Sequence, residues 1–310
     1  MEKAYELIII GAGPAGITAS VYAARKRMDF LVLTEDVGGQ TAWSGDIENY
    51  TGYQFITGAD LTAKFEEHIK KYNVSLRENE KVTEVRKEGD IAVINTAKGT
   101  YKAKTVIIAS GKRSKQLNVP GEEEFKSKGL TYCATCDGPL FANKDVVIVG
   151  GGNSALEAAI QLVKIAKKIY IVNITPELGG DEIIREKVVK SDKVTVMNNS
   201  QVTAVFGDNF VNRVKLKTEN GDKELEVQGV FVEIGLDPNS NLAKDLDKNE
   251  KGEIIVNCRN ETNVPGIFAA GDVTNVPEKQ IIIAAGDGAK TALGAFRYVS
   301  KMSPRDWEDA

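Results

Sequence analysis

Apolar and polar positions along this chain follow two periods, and the switch between them happens twice. Residues 5–10 form a short apolar, β-rich run that ends in glycines and predicts a buried strand. Residues 14–25 then carry apolar positions at helical spacing, and residues 30–33 form a second apolar strand. Strand, glycine turn, helix and strand in that order predict a parallel sheet. The unit returns with a strand over residues 145–149, then Gly150, Gly151 and Gly152, a helix over about 154–164 and a strand over 169–172. The two glycine turns start at Gly11 and Gly150, 139 residues apart. The expected fold class is therefore α/β, with two Rossmann-like, three-layer nucleotide-binding domains. Residues 106–111 and 230–235 read as the last strands of the two units, and 268–273 as a further segment to be packed.

Length agrees with two domains, since 310 residues at about 150 per domain gives that number. With 42% hydrophobic and 27% charged residues, the chain is neither disordered, collagen-like nor a small disulfide scaffold. A net charge of −4 and a pI near 5.4 argue against a nucleic-acid partner. Three cysteines make no secreted disulfide framework. The one histidine, His68, sits in a charged helical stretch, reads as a surface residue and leaves no room for a histidine-rich metal site. Residues 7–24 are uncharged over nearly the length of a membrane span, but Gly11, Gly13, Pro14 and Gly16 interrupt them. The apolar stretch before those glycines is too short for a signal-peptide core. The expectation is a cytoplasmic protein with no membrane contact.

The motif Gly11-Ala-Gly13-Pro-Ala15-Gly16 follows a strand and opens a helix. The first glycine allows the tight turn, the second lets a pyrophosphate approach the backbone, and the third permits close helix–strand packing. The helix N-terminus then offers free N–H groups and the positive end of its dipole. Glu35 closes the second strand, 24 residues after Gly11, where an acid accepts hydrogen bonds from a ribose diol. The second fingerprint, Gly150-Gly-Gly152-Asn-Ser-Ala155, has equally good spacing but Asn173 where the acid belongs. Residues 174–181 contain no arginine and two acids, which disfavours the 2′-phosphate of NADPH. Two readings stay open: NADH held without charge assistance, or a fold that no longer binds nucleotide.

Cys133-Ala-Thr-Cys136-Asp137-Gly138 carries the chemistry. Two cysteines three apart at a helix start can close a small disulfide, and the helix end lowers the pKa of a thiolate there. Such a thiolate exchanges through a mixed disulfide, with Asp137 placed to give or take a proton. A zinc site is the weaker alternative, because the further ligands, Cys258 and His68, are distant in sequence. Inert thiols are the third. Cys258, in the strand-like run 254–258, reads as a buried structural thiol.

Together these motifs resemble the low-molecular-weight thioredoxin reductase family over about residues 4–300. Residues 132–141 and 279–289 are also similar to the flavoprotein subunit of alkyl hydroperoxide reductase. The resemblance implies that the second fold is inserted into the first: an FAD-binding domain over 1–114 and 243–310, and an NAD(P)-type domain over 115–242 carrying the dithiol. It implies FAD with its pyrophosphate on Gly11, Gly13, Ala15 and Gly16, and its adenosine ribose on Glu35. Gly39, Gln40, Asn49 and Gly111 would line the cofactor, and Asp272 would hold its ribityl or phosphate part. Gln280 and Ile281, at a helix start, would sit by the flavin pyrimidine edge. Cys136 would face the flavin and Cys133 would attack thioredoxin. The inserted domain would rotate about crossings near 112–118 and 238–245. A homodimer follows from the resemblance alone.

The chain departs from that family where NADPH recognition should be. The His-Arg-Arg…Arg pattern is absent, the acid of the hydroperoxide reductase subunit is replaced by Asn173, and the expectation is a protein without that subunit's N-terminal thioredoxin-like domain. The pattern resembles the flavin thioredoxin reductases that take electrons from reduced ferredoxin. Trp307, in the tail, would then cover the flavin face left free by nicotinamide. The competing expectations are an NADH-dependent reductase serving a peroxiredoxin- or glutaredoxin-like partner, and a flavin-binding redox sensor with little turnover. High-molecular-weight disulfide reductases are excluded, because they carry the cysteine pair in the first fold and a histidine base near the C-terminus.

Overall fold

The apolar run predicted at the start of the chain is β1 (Ala4–Ala12), and Leu7, Ile8 and Ile9 are wholly buried in the computed structural model, which describes residues 4–44 and 46–302. Gly11 turns the chain with φ +100°, and α1 (Pro14–Arg25) begins with proline in its first turn, where the missing N–H costs nothing. β2 (Phe30–Val37) returns parallel to β1. Short strands β3 (Asp46–Ile47) and β4 (Ile56–Thr57) precede α2 (Gly58–Lys70), which Thr57 caps by accepting the N–H of Asp60. β5 (Leu76–Arg77), β6 (Val82–Glu88), β7 (Ile91–Thr96) and β8 (Thr100–Ile108) complete the first stretch.

β9 (Lys112–Ser114) leads into a second unit. There α3 (Glu122–Phe125), β10 (Leu130–Thr131) and α4 (Ala134–Asp137) precede β11 (Asp145–Val149), α5 (Asn153–Leu162) and β12 (Lys168–Val172). α6 (Glu182–Val189), β13 (Val194–Met197), the hairpin strands β14 (Gln201–Gly207), β15 (Val211–Thr218) and β16 (Gly221–Glu226), and β17 (Gly229–Val232) follow. β18 (Leu236–Pro238) leads back to β19 (Ile267–Ala269) and the long α7 (Ile281–Met302).

Contacts divide the chain into residues 1–43, 50–113 and 237–310 in one unit and 44–49 with 114–236 in the other. The second changeover lies six residues before the boundary expected at 242/243. In the first unit the sheet runs β5-β2-β1-β8-β7-β6, with β19 also paired parallel to β8. Strands β5, β2, β1, β8 and β19 are mutually parallel, while β6, β7 and β8 form antiparallel pairs. One face buries Leu7, Ile9 and Ile107 against α1 and α7; the other buries Ile8, Ile10 and Ile108 with Leu246 and Ile254. In the second unit β10-β17-β11-β12-β13 are all parallel, and β14-β15-β16 form a separate antiparallel sheet. Near-continuous apolar strands such as Val146–Val149 suit a parallel sheet covered on both faces.

One sequence expectation is overturned here. Residues 254–258 form no strand, and Cys258 is exposed rather than buried. The Asn257 side chain accepts the N–H groups of Arg259 and Glu261, closing a turn that carries Cys258 on its outer side. His68 is exposed on α2, as its charged surroundings imply. Trp307 lies outside the described residues. Among those described, no helix is long and apolar enough to cross a membrane, and no cluster of three His, Cys, Asp or Glu gathers to hold a metal.

α1 and α7 pack backbone to backbone. A Cβ on Gly288 would stand 2.0 Å from the carbonyl oxygen of Ala15, whereas one on Gly286 meets nothing within 4 Å. Gly288→Ala is predicted to cost at least about 2 kcal/mol by overpacking. Gly286→Ala, two residues away, is predicted to be neutral or to stabilise by about 0.5–1 kcal/mol through helix propensity. Thermal melts of the two variants compare them directly.

Candidate functional site

The first glycine turn is shaped by contacts that leave no alternative residue. A Cβ on Gly11 would lie 2.4 Å from the Ala109 carbonyl oxygen, and one on Gly16 would lie 1.8 Å from the Gly11 carbonyl oxygen. Gly13 caps α1 without any side-chain hydrogen bond, and Ala15 and Gly16 are buried in its first turn. These first-turn N–H groups have no carbonyl partner within the helix, so they stand ready for an anion. The next turn comes to the same place. Gly39 has φ +54°, and a Cβ on it would stand 3.4 Å from Gly13 Cα. Gln40 follows and donates from Nε2 to the Lys112 carbonyl, next to Gly111 with φ +66°. Glu35 stands exposed near the end of β2, paired with Lys81 at 3.0 Å. Such a solvated pair contributes little and leaves carboxylate lone pairs open to hydroxyls.

Asp272 lies in the short 3-10 turn after β19, beside the start of α7. Among the described residues no donor bonds its carboxylate. Burial pushes its pKa up, and the charges of Lys279 and Lys112 pull it down. Gln280 immediately precedes α7, its carbonyl accepts the Ala284 N–H, and Ile281 is the first residue of that helix. Asn49 is exposed and is grouped with the second unit.

A charge cluster beside Asp272 has no counterpart among the sequence motifs. Glu253 is buried and pairs through Oε1 with Lys112 Nζ and, at 3.2 Å, with Lys279 Nζ. Its other oxygen accepts from Asn249 Nδ2 at 2.6 Å. Burial raises the Glu253 pKa, but the hydrogen bonds from Lys112, Asn249 and Lys279 outweigh it and bring the carboxyl to about 2. Burial also lowers the Lys279 ammonium, helped by the like charge of Lys112. Lys112, Glu253 and Lys279 are far apart in sequence, and only the fold brings them together.

In the second unit Gly150 has φ +138°, and a Cβ there would meet the Glu233 carbonyl oxygen at 2.3 Å. Gly152 caps α5, again with no side-chain bond. Asn173 is buried, and its polar atoms are all turned inward. Its Nδ2 donates to the carbonyls of Thr175 and Glu177 and to Asn198 Oδ1 at 2.9–3.1 Å. Its Oδ1 accepts from the Thr175 hydroxyl at 2.9 Å. A Cβ on Gly151 would lie 2.3 Å from that oxygen, so Asn173 shapes the loop rather than projecting from it. One cation near this loop lies beyond residues 174–181: Arg185 on α6 donates to the Leu178 carbonyl at 3.1 Å.

The dithiol is closed as a Cys133–Cys136 disulfide. Cys133 caps the one-turn helix α4, its Sγ accepting the Cys136 N–H at 3.1 Å. Asp137 is buried, accepts from the Thr131 hydroxyl, and donates its own N–H to the Cys133 carbonyl. Thr131 also accepts the Cys133 N–H at 3.2 Å, so one hydroxyl bridges the nucleophile's backbone and the acid. A second acid, distant in sequence, joins them: Glu233, leaving β17, reaches the Ala134 N–H with Oε1 at 3.4 Å.

Comparison with known proteins places this geometry. A family model described as pyridine nucleotide-disulphide oxidoreductase matches residues 5–289. The chain belongs to this family. It is 42% identical over 302 residues to a Bacillus subtilis protein named NADH dehydrogenase, covering 96% of this chain and 59% of that one. It is 41% identical over 306 residues to the F component of Escherichia coli alkyl hydroperoxide reductase, with the same coverage. The chain thus spans about three fifths of the curated relatives it matches. A thioredoxin reductase structure from Streptococcus pyogenes aligns with TM-score 0.92 at 38% identity, over 97% of this chain and 100% of that one. A ferredoxin-flavin thioredoxin reductase from Clostridium acetobutylicum aligns with TM-score 0.53 at 33% identity, over 98% and 100%. FAD is the cofactor of this fold. The uncapped, glycine-built N-terminus of α1 and the donor-free Asp272 carboxylate both fit it.

Glu253 makes a pH prediction. Its pKa is depressed in the folded chain, so its stabilisation is present above about pH 4.5 and is lost as pH falls toward 2. The amount is about 3 kcal/mol at neutral pH. Glu253→Gln is predicted to melt lower at pH 7 and to lose less stability than the parent between pH 4.5 and 2 at fixed ionic strength.

Proposed function

We propose that this protein is an FAD-dependent reductase of protein disulfides, acting on a thioredoxin through Cys133 and Cys136. The observation that carries the reading is the closed Cys133–Cys136 pair with a buried acid held against it by Thr131. When bound, the flavin supplies two electrons to the pair. Opening the disulfide also takes up protons, and Asp137 is the group held to deliver one. The Cys136 N–H already points at Cys133 Sγ, which favours a thiolate on Cys133. That thiolate attacks one sulfur of the partner disulfide, forming a mixed disulfide and expelling a partner thiolate. Cys136 then gives up its proton and attacks Cys133 Sγ, closing the pair and releasing the partner, whose two sulfurs take up that proton and one from solvent. Cys136 as the flavin-side thiol and Cys133 as the partner-side thiol follow this order. By the same resemblance, the first-unit residues Gly11, Gly13, Ala15, Gly16, Glu35, Gly39, Gln40, Gly111, Asp272, Gln280 and Ile281, with Asn49, hold the cofactor in a homodimer.

For the donor, we infer reduced ferredoxin. Asn173 has its polar atoms engaged within its own loop, and residues 174–181 offer no cation to a 2′-phosphate. One observation favours a second reading with NADH as donor and a peroxiredoxin-like partner: the likeness to a protein named NADH dehydrogenase and to the F component of alkyl hydroperoxide reductase.

Cys133→Ser is expected to lower thioredoxin-disulfide reduction by at least about a thousandfold while leaving FAD bound; full activity in that variant would end the proposal. Mixed anaerobically with each donor, the flavin absorbance is expected to bleach with reduced ferredoxin and not with NADPH. Fast bleaching by NADH would move the reading to the second donor.

A further inference from the structure

Glu233 has a place in the second unit that the exchange steps above do not use. Its backbone is pinned on both sides: the N–H donates to the Val149 carbonyl at 2.8 Å, and its own carbonyl oxygen lies against Gly150. The residue therefore sits at the carboxyl ends of β17 and β11, between the second glycine turn and the dithiol helix. Its side chain is partly buried and meets the peptide N–H of Ala134, the residue that follows Cys133. Among the described residues no lysine or arginine pairs with it.

We propose that Glu233 is a proton-linked positioning residue of the dithiol, its charge acting across the Ala134 peptide to set how readily reduced Cys133 gives up its proton. This rests on Cys133 and Cys136 being the working pair. A carboxylate beside a thiol opposes formation of the thiolate, and a neutral carboxyl does not. Burial drives the Glu233 pKa up to about 7, with the Ala134 N–H opposing and Glu157 adding to it. Glu233 therefore changes charge in the range where disulfide exchange runs. The charged group that acts on it is Glu157 on α5; Asp137 ends α4, whose first N–H Glu233 meets, and the Lys115 stem would lie 3.8 Å from a Cβ on Gly235, two residues on. Glu157 and Lys115 are exposed, and Asp137 is engaged by Thr131.

The sign is definite. Below about pH 6 Glu233 is neutral and has no effect. Above about pH 8 it is charged and holds Cys133 more fully protonated, so thiolate-dependent reactions rise less steeply with pH than for an isolated thiol.

The test uses the FAD-loaded protein with its disulfide opened by dithiothreitol, which closes to its own cyclic disulfide and is then removed. Alkylation of Cys133 by iodoacetamide is followed from about pH 5 to 9 by peptide mass spectrometry, which counts exposed Cys258 separately. Glu233→Gln is expected to alkylate Cys133 about three- to tenfold faster than the parent at pH 8, with the two rates converging below pH 6. Glu157→Gln, at an exposed site, is expected to keep the inflection but move it to lower pH, because it removes the like charge that raises Glu233. Superimposable profiles for the parent and Glu157→Gln, or for the parent and Glu233→Gln, would overturn the proposal. Because the dithiol is opened chemically and only its alkylation is read, this result is independent of whether the protein turns over any partner.

Discussion

Both functional elements of this chain depend on backbone coming closer to backbone than any side chain allows. At Gly16 and Gly11 a helix start rests on a strand end, and at Gly150 the second turn rests on the carbonyl of Glu233. At Gly288 the last helix rests on the first. Each glycine turn brings unsatisfied helix N–H groups to the carboxyl edge of a parallel sheet, where ligands of such folds bind. In the second unit the same constraint does something further. Because the Gly150 turn holds Glu233 by its backbone, the carboxylate is delivered to the dithiol helix rather than to solvent.

The two units use their buried charge differently. In the first, Glu253 gathers Lys112, Lys279 and Asn249, and the pairing holds a carboxylate ionised well below its usual pKa. Asp272 stands beside that cluster, and among the described residues no donor bonds its carboxylate, which leaves it for a ligand hydroxyl. In the second, the acids lie at the dithiol helix, Asp137 against Thr131 and Glu233 against the Ala134 N–H. Asp137 is fixed by Thr131, and Glu233 is raised toward neutrality by burial. A carboxyl that titrates near pH 7 suits proton exchange with thiols, whereas one held at about 2 suits a fixed electrostatic background.

Much of this is legible in the sequence because it is local. The glycine spacings, the strands beside them, the Pro14 start of α1 and the Cys133–Cys136 spacing each constrain only neighbours. Family membership, the two-fold α/β architecture and FAD follow from those motifs and agree with the comparisons. What is not legible is long-range or depends on competing turn chemistry. Lys112, Glu253 and Lys279 meet only through the fold, and Glu233 lies 99 residues from the Ala134 N–H it faces. The β-branched neighbours of Cys258 suggest a strand, but the Asn257 side chain closes a turn instead. Asn173 is visible in the sequence as a missing acid, but its inward bonding is not. Arg185 comes near the same loop only because α6 folds back on it.

The central claim is that electrons pass from the flavin to the Cys133–Cys136 pair within this chain. The most direct measurement is an anaerobic reductive titration of the FAD-loaded protein, counting electrons taken up per flavin. The account predicts about four in the parent, two for FAD and two for the disulfide, and about two in Cys133→Ser. A parent protein that is fully reduced by about two electrons, with its disulfide intact, would contradict it.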